Sequence, residues 1–99
     1  MAIEFYDISD VSRRNILFDI SNKDFDFFEK IVSELRKSTG VCIDPYSTSR
    51  LYRTHVIKLI ELLKKELSSD TTTRQEHKVL TTILQKFSNV STDLLIIGD

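Results

Sequence analysis

Residues 53–67 read RTHVIKLIELLKKEL and form a strong helical pattern. Aliphatic side chains recur there at three- and four-residue intervals, which is the spacing of one face of an α-helix. The stripe consists of Val56, Leu59, Ile60, Leu63 and Leu67, and Ile57 and Leu62 widen it. Such a broad apolar arc predicts the central helix of a single globular domain spanning residues 1–99.

Two further helices are predicted on either side of this segment, over residues 22–38 and 73–88. Both carry apolar side chains at helical spacing, and each follows a hydroxyl residue, Ser21 or Thr73, that stands three positions before an acid. That spacing is typical of the capping box at a helix start. Gly40 supplies a left-handed stop for the first of the two helices.

The remaining segments favour shorter elements. Residues 3–8 could start a strand or an extended segment, and residues 12–20 carry apolar side chains that suit a short helix. The aliphatic run at 94–97 indicates a buried strand, with the extended segment 41–43 as its natural partner. The predicted fold class is therefore mainly α: a compact domain of three to four helices with at most one short β pair, 41–43 with 94–97.

Charge is balanced overall but unevenly distributed. Fourteen basic and fifteen acidic side chains give a net charge of −1, so the chain lacks the basic excess that drives direct binding to nucleic acid. Residues 1–29 hold seven acids and three bases, whereas residues 30–69 hold eight bases and four acids. This asymmetry can steer a charged partner or can be neutralised between neighbouring helices.

The residue types and their spacing argue against catalytic, metal and phosphate-binding sites. Cys42 is the sole cysteine, and with His55 and His77 it matches no metal-ligand spacing and no nucleophile arrangement. The only glycines, Gly40 and Gly98, cannot build a phosphate-binding loop. We therefore predict no catalytic residue, no cofactor and no metal. A single cysteine, acidic opening residues and short apolar runs favour a cytoplasmic protein without signal peptide or membrane anchor.

The segment from Ile43 to Tyr52 is the most distinctive loop. It combines a rigid proline with Asp44, Tyr46 and Arg50, and this composition occurs in protein-binding surfaces as well as in structural corners. Tyrosine and arginine can anchor an interface, but Arg50 can instead pair with Asp44 and hold its own loop. Both interpretations stand at this point.

At this loop the chain resembles small immunity-type proteins. The resemblance lies in GVCIDPY at 40–46 with SRL at 49–51, in the leucine-rich helix that follows, and in the IGD end at 97–99. These proteins accompany bacterial polymorphic or contact-dependent growth inhibition toxins. The resemblance covers about a third of the chain. It implies a protein that binds one cognate toxin domain and blocks its active site without turnover.

Charge chemistry suggests which side chains such an inhibitor would use. Many toxin domains are nucleases with basic clefts. An acidic surface associates quickly with such a cleft, because charges of opposite sign attract, and it complements the cleft's charge in the complex. Asp19, Asp24 and Asp26 are the candidate acidic contacts, in addition to Asp44, Tyr46 and Arg50 of the loop. For Asp24 and Asp26, simple electrostatics at a helix N-terminus is the competing explanation.

Two other functions stay open. The broad apolar arc of residues 56–67 could serve a helical adaptor or oligomerisation module, so a homo-oligomer is compatible with the sequence. A small enzyme would need Cys42, His55 or His77 to converge in a pocket.

Overall fold

A computed structural model describes residues 2–10, 12–69 and 72–98. In chain order the elements are β1 (Ala2–Asp7), β2 (Ile16–Ser21), α1 (Asn22–Thr39), β3 (Thr48–Leu51), α2 (Arg53–Leu67), α3 (Arg74–Ser88) and β4 (Leu94–Ile97). The strands form one sheet in the order β2-β1-β4-β3, with every neighbouring pair antiparallel. The three helices lie on one face of this sheet.

The expected mainly helical fold is wrong, because a four-stranded sheet makes this an α+β protein. The three long helices were predicted correctly to within about a residue at either end. The error lies in the strands. Residues 16–21 form an edge strand instead of part of a helix, and residues 41–43 form no strand at all. The strand at 94–97 exists, but its partners are β1 and β3.

Strand β2 was misread because its apolar residues fit both the 3.6-residue period of a helix and the two-residue period of a strand. Half-buried Phe18 and buried Ile20 alternate with exposed Leu17 and Asp19, so the first two face the helices while the other two face away. Across the sheet Phe18 stacks on Phe5, with 4.5 Å between ring centroids. Cross-strand stacking of this kind stabilises the hairpin, and one isolated sequence cannot show it.

Aromatic rings join the two layers of the fold. Phe87 of α3 meets Phe5 of β1 edge-on at 5.4 Å, and it stacks on Phe28 of α1 at 5.8 Å. All three rings are fully buried, so they form the centre of a continuous hydrophobic core between helices and sheet. Burial of each aromatic side chain typically contributes about 2–3 kcal/mol.

The predicted caps occur as hydrogen bonds for α1 and α3. The Asp24 amide donates to Ser21 Oγ, and the Glu76 amide donates to Thr73 Oγ1. Gly40 has φ of 78°, the left-handed conformation that ends α1.

The start of α2 is capped differently, from a distant part of the chain. Tyr52 at the N-cap accepts no side-chain bond, so the Arg53 amide donates instead to Asp93 Oδ1 at 2.6 Å. The Arg53 guanidinium in turn donates to the Val90 carbonyl at 3.0 Å. These two bonds fix α2 to the segment that leads into β4.

The central position predicted for α2 is confirmed by its packing. Val56, Leu59 and Leu63 are fully buried, and the helix packs against both α1 and α3. Of its apolar arc, Ile57 is the exposed member, at 47%. Because the arc is largely covered within the chain, it gives little support to an adaptor function through α2.

Candidate protein-binding surface

A groove runs along α1 because the chain doubles back after Gly40. Residues 41–45 lie alongside the helix and enclose a volume of about 220 Å³. We call this the α1–loop groove; it is lined by Phe25, Glu29, Val32, Ser33, Arg36, Cys42, Ile43 and Pro45. Its walls are apolar at the base and charged at the rim, as in the recognition surfaces of many protein complexes.

The loop that closes this groove is held rigidly. The Tyr46 amide donates to Asp44 Oδ1 at 2.8 Å, which makes an Asx turn, and the Asp44 amide donates to Ser49 Oγ at 3.1 Å. The Gly98 amide donates to the Ser47 carbonyl at 2.9 Å. Three hydrogen bonds therefore fix the backbone over only a few residues.

Gly98 approaches this loop so closely that no side chain fits there. A Cβ atom at Gly98 would lie 2.3 Å from the Pro45 carbonyl oxygen and 2.8 Å from the Tyr46 nitrogen. The end of β4 and the loop before β3 are therefore packed backbone to backbone. Pro45 and Tyr46 therefore lie against Gly98, more than fifty residues further along the chain.

On this rigid loop the side chain of Tyr46 projects into solvent, at 78% exposure. An exposed aromatic ring gains no core packing energy, whereas its fixed backbone lowers the entropy lost on binding. Tyrosine is also enriched among the residues that dominate binding energy at interfaces. The loop thus presents Tyr46 as a preorganised anchor.

Two carboxylates on α1 lie beside the groove without a neutralising partner. Asp26 and Glu29 are exposed and stand three residues apart, so they share one face of the helix. Lys30 could pair with Asp26, but its Nζ atom lies 2.7 Å from Glu66 Oε1 and also contacts Glu76. Among the described residues neither Asp26 nor Glu29 has an ion pair, and Arg36, which also lines the groove, has none either, so the groove carries charges of both signs.

Of the six predicted binding residues, Asp44 and Tyr46 lie on the loop that flanks the groove, and Asp26 lies on α1 three positions before Glu29, but none of these three is among the residues that line the groove. Asp44 uses its carboxylate for the Asx turn, so its role there is to hold the loop. The alternative in which Arg50 pairs with Asp44 is not observed, since no ion pair joins them. Glu29 was missed from the sequence, although its spacing from Asp26 gave a usable signal.

The other three predicted residues lie elsewhere. Asp24 is two positions from Asp26, about 200° around the helix, and it borders α3 near Lys78. It occupies the first helical turn, where the competing electrostatic explanation applies. Asp19 and Arg50 lie on the sheet, on the two opposite edge strands β2 and β3.

Two acids of the N-terminal segment are committed to the loop between β1 and β2. Hydrogen bonds from the Ser9 amide and hydroxyl lower the pKa of Asp7 below its ordinary value. Hydrogen bonds from the amides of Asn15 and, to a smaller extent, Arg14 lower the pKa of Asp10. The negative charge of residues 1–29 is thus partly used for local structure.

The side chains weighed for catalysis do not share the groove. Cys42 lines it, whereas His55 lies at the start of α2 with its ring 6.0 Å from that of Tyr52, and His77 is exposed on α3. In the described ranges, no group of three or more histidine, cysteine, aspartate or glutamate side chains is arranged to hold a metal ion.

No protein family, curated protein or solved structure matches this chain. Within the described residues, every helix is too short or too polar to cross a bilayer.

Proposed function

We propose that this protein is a bacterial immunity protein that binds a cognate toxin domain and neutralises it by stoichiometric occlusion in the cytoplasm. The observation that carries the proposal is the exposed side chain of Tyr46 on a hydrogen-bonded loop that flanks α1, the helix on which Asp26 and Glu29 form no ion pair among the described residues. The resemblance at 40–46 and 97–99 points to the same class of protein.

The carboxylates and the tyrosine have different roles in the proposed mechanism. Asp26 and Glu29 attract a cationic cleft such as that of a nuclease, and this raises the association rate. Tyr46 then inserts into the cleft and supplies buried area at a low entropy cost because its backbone is already fixed. The bound protein excludes the toxin's substrate, so no chemical step is needed.

A protein of this class should be encoded directly downstream of its toxin, so isothermal titration calorimetry with the product of the upstream reading frame tests this proposal. We expect a 1:1 complex that loses about 2 kcal/mol, roughly 30-fold in affinity, in Tyr46→Ala. Tyr52→Ala is the matched control, because Tyr52 is also exposed, at 47%, but lies at the other end of the loop segment. An equal loss in both variants would contradict the assigned surface.

The carboxylates need a kinetic measurement. Asp26→Asn with Glu29→Gln should lower the association rate constant about tenfold at low salt and flatten its dependence on ionic strength. Glu61→Gln on α2 is the control, since Glu61 is exposed on a different helix. Cells that express the toxin should survive with the wild-type protein and with the control. Absence of any complex and of any protection would refute the proposed function itself.

A further inference from the structure

The sheet has two outer edges that pair with no other strand of the described chain. Strand β2 lies at one side of the sheet and β3 at the other. Such an edge presents backbone amides and carbonyls at alternate residues, and another extended chain can form hydrogen bonds with them. The two edges differ in whether these groups are accessible.

The β2 edge is obstructed in two ways. The register of β1 and β2 shifts at Leu17, which has no partner on β1, and a bulge of this kind twists an edge away from a flat partner. The outward carbonyl of Asp19 accepts a hydrogen bond from Lys86 Nζ at 2.7 Å. An incoming strand would therefore have to displace a lysine ammonium, and lysine is one of the residues by which proteins protect an edge strand.

The β3 edge has neither obstruction, since its register with β4 is regular. The Gly98 amide donates to the Ser47 carbonyl at 2.9 Å, so the backbone of Ser47 faces β4. Adjacent residues of a strand direct their amides and carbonyls to opposite sides, so those of Thr48 and Arg50 point away from the sheet. In the part of the chain that the structure describes, no hydrogen bond occupies these four groups.

The charge of Arg50 determines which extended segment suits this edge. Its side chain is exposed and forms no ion pair with any described residue. If two copies of the chain paired through all four free groups, their Arg50 Cα atoms would lie about 8 Å apart on one face, where like charges repel. A segment with a carboxylate opposite Arg50 would instead form an attractive pair across the strands.

We propose that the toxin domain adds an extended segment to β3, with an acidic side chain of that segment opposite Arg50. This inference rests on the proposed function and extends it. Tyr46 lies two residues before β3 on the fixed loop, so the anchor and the free edge form one continuous surface. In strand addition the main-chain hydrogen bonds supply affinity and the neighbouring side chains supply specificity.

The length of β3 limits this contact. The strand has four residues, and the Tyr52 carbonyl that follows it already accepts hydrogen bonds from amides of α2. The added segment therefore pairs with Thr48 and Arg50 and ends before Tyr52. Because so few hydrogen bonds form, the strand contact supplements the contact of Tyr46 and does not replace it.

Hydrogen exchange of backbone amides, followed by NMR, tests the pairing directly. In the free protein the Thr48 and Arg50 amides should exchange as exposed groups do, and the product of the upstream reading frame should slow both by about tenfold or more. The outward Asp19 amide of β2 is the internal control, and its exchange should not change.

Each outcome of this measurement has a distinct meaning. A complex in which the Thr48 and Arg50 amides stay unprotected overturns the inference and leaves the proposed function standing. Absence of any complex refutes both. Protection that is present in the free protein and grows with its concentration would assign the edge to a second copy, and it would also overturn the inference.

Substitutions test the hydrogen bonds and the charge separately. Thr48→Pro removes one outward amide, which makes no bond to β4, and should weaken binding of the same partner about tenfold. Asp19→Pro on β2 is the matched control and should bind as Asp19→Ala does. Arg50→Glu should weaken binding about tenfold, whereas Arg50→Lys should keep most of the affinity. Thermal unfolding checks the folding of each variant. Wild-type affinity of both Thr48→Pro and Arg50→Glu overturns the inference.

Discussion

Replacing Gly98 by alanine should both destabilise the protein and displace the Tyr46 loop. The new Cβ atom would lie 2.3 Å from the Pro45 carbonyl oxygen, so that carbonyl must retreat by about 1 Å. This movement also strains the bond from the Gly98 amide to the Ser47 carbonyl. Overpacking of this kind costs about 1–3 kcal/mol.

Gly40→Ala is the control, because it should lower the free energy of unfolding by a similar amount for a different reason. A Cβ atom at Gly40 meets nothing within 4 Å, but the residue has φ of 78°, where alanine costs about 1–2 kcal/mol. Both variants should lower the free energy of unfolding in urea. Only Gly98→Ala should shift the amide resonances of Tyr46 and Ser47 and weaken toxin binding. A Gly98→Ala protein with wild-type stability and unshifted loop resonances would refute the backbone contact.

Three further predictions concern the rest of the fold. Asp93→Ala should cost about 1–2 kcal/mol because α2 loses its N-cap at the Arg53 amide, and Asp93→Asn should keep most of the stability in urea unfolding. Lys30→Met should cost about 1 kcal/mol, since it leaves two glutamates on α2 and α3 without their shared cation, and high salt should reduce the wild-type advantage. The pKa values of Asp7 and Asp10 are lowered in the folded state, so their contribution to stability is complete above the unfolded value of 3.8 and is lost as the pH falls through the folded values. Asp10→Asn should therefore flatten the acid limb of a plot of unfolding midpoint against pH, and an unchanged limb would contradict the assigned hydrogen bonds.

The helices were predictable from sequence because their signals are local. Apolar spacing and a capping residue lie within the helix or directly before it, as at Ser21 and Thr73, and the glycine stop at Gly40 directly follows. The cap of α2 was not predictable, because Asp93 is 40 residues from Arg53. A tertiary cap leaves no trace in the local pattern.

The strands of the sheet were predicted wrongly for a related reason. The strand Thr48–Leu51 has one buried side chain and a polar sequence, which is ordinary for a short edge strand but gives no alternation to detect. Its formation depends on pairing with Leu94–Ile97. The extended segment 41–43 looked more apolar, but it packs along α1 instead and forms one wall of the groove.

The candidate site was predictable in part. Tyr46 and Asp44 could be selected by residue type, since exposed tyrosine and turn-forming aspartate are common in binding loops. The grouping of Asp26 with Glu29 could not be predicted, because the sequence does not show that Lys30 forms its ion pairs with glutamates of other helices instead of with Asp26. Asp19 and Arg50 were selected for their charge, and the sheet places them on a different face.

Calorimetric titration of the protein encoded immediately upstream, the toxin under the proposed function, with wild-type protein, Tyr46→Ala and Tyr52→Ala tests the central claim most directly. The account predicts a 1:1 complex that Tyr46→Ala weakens by roughly 30-fold and Tyr52→Ala leaves intact. Equal affinity for all three proteins would contradict an anchor at Tyr46, and absence of binding by the wild-type protein would contradict inhibition by occupancy.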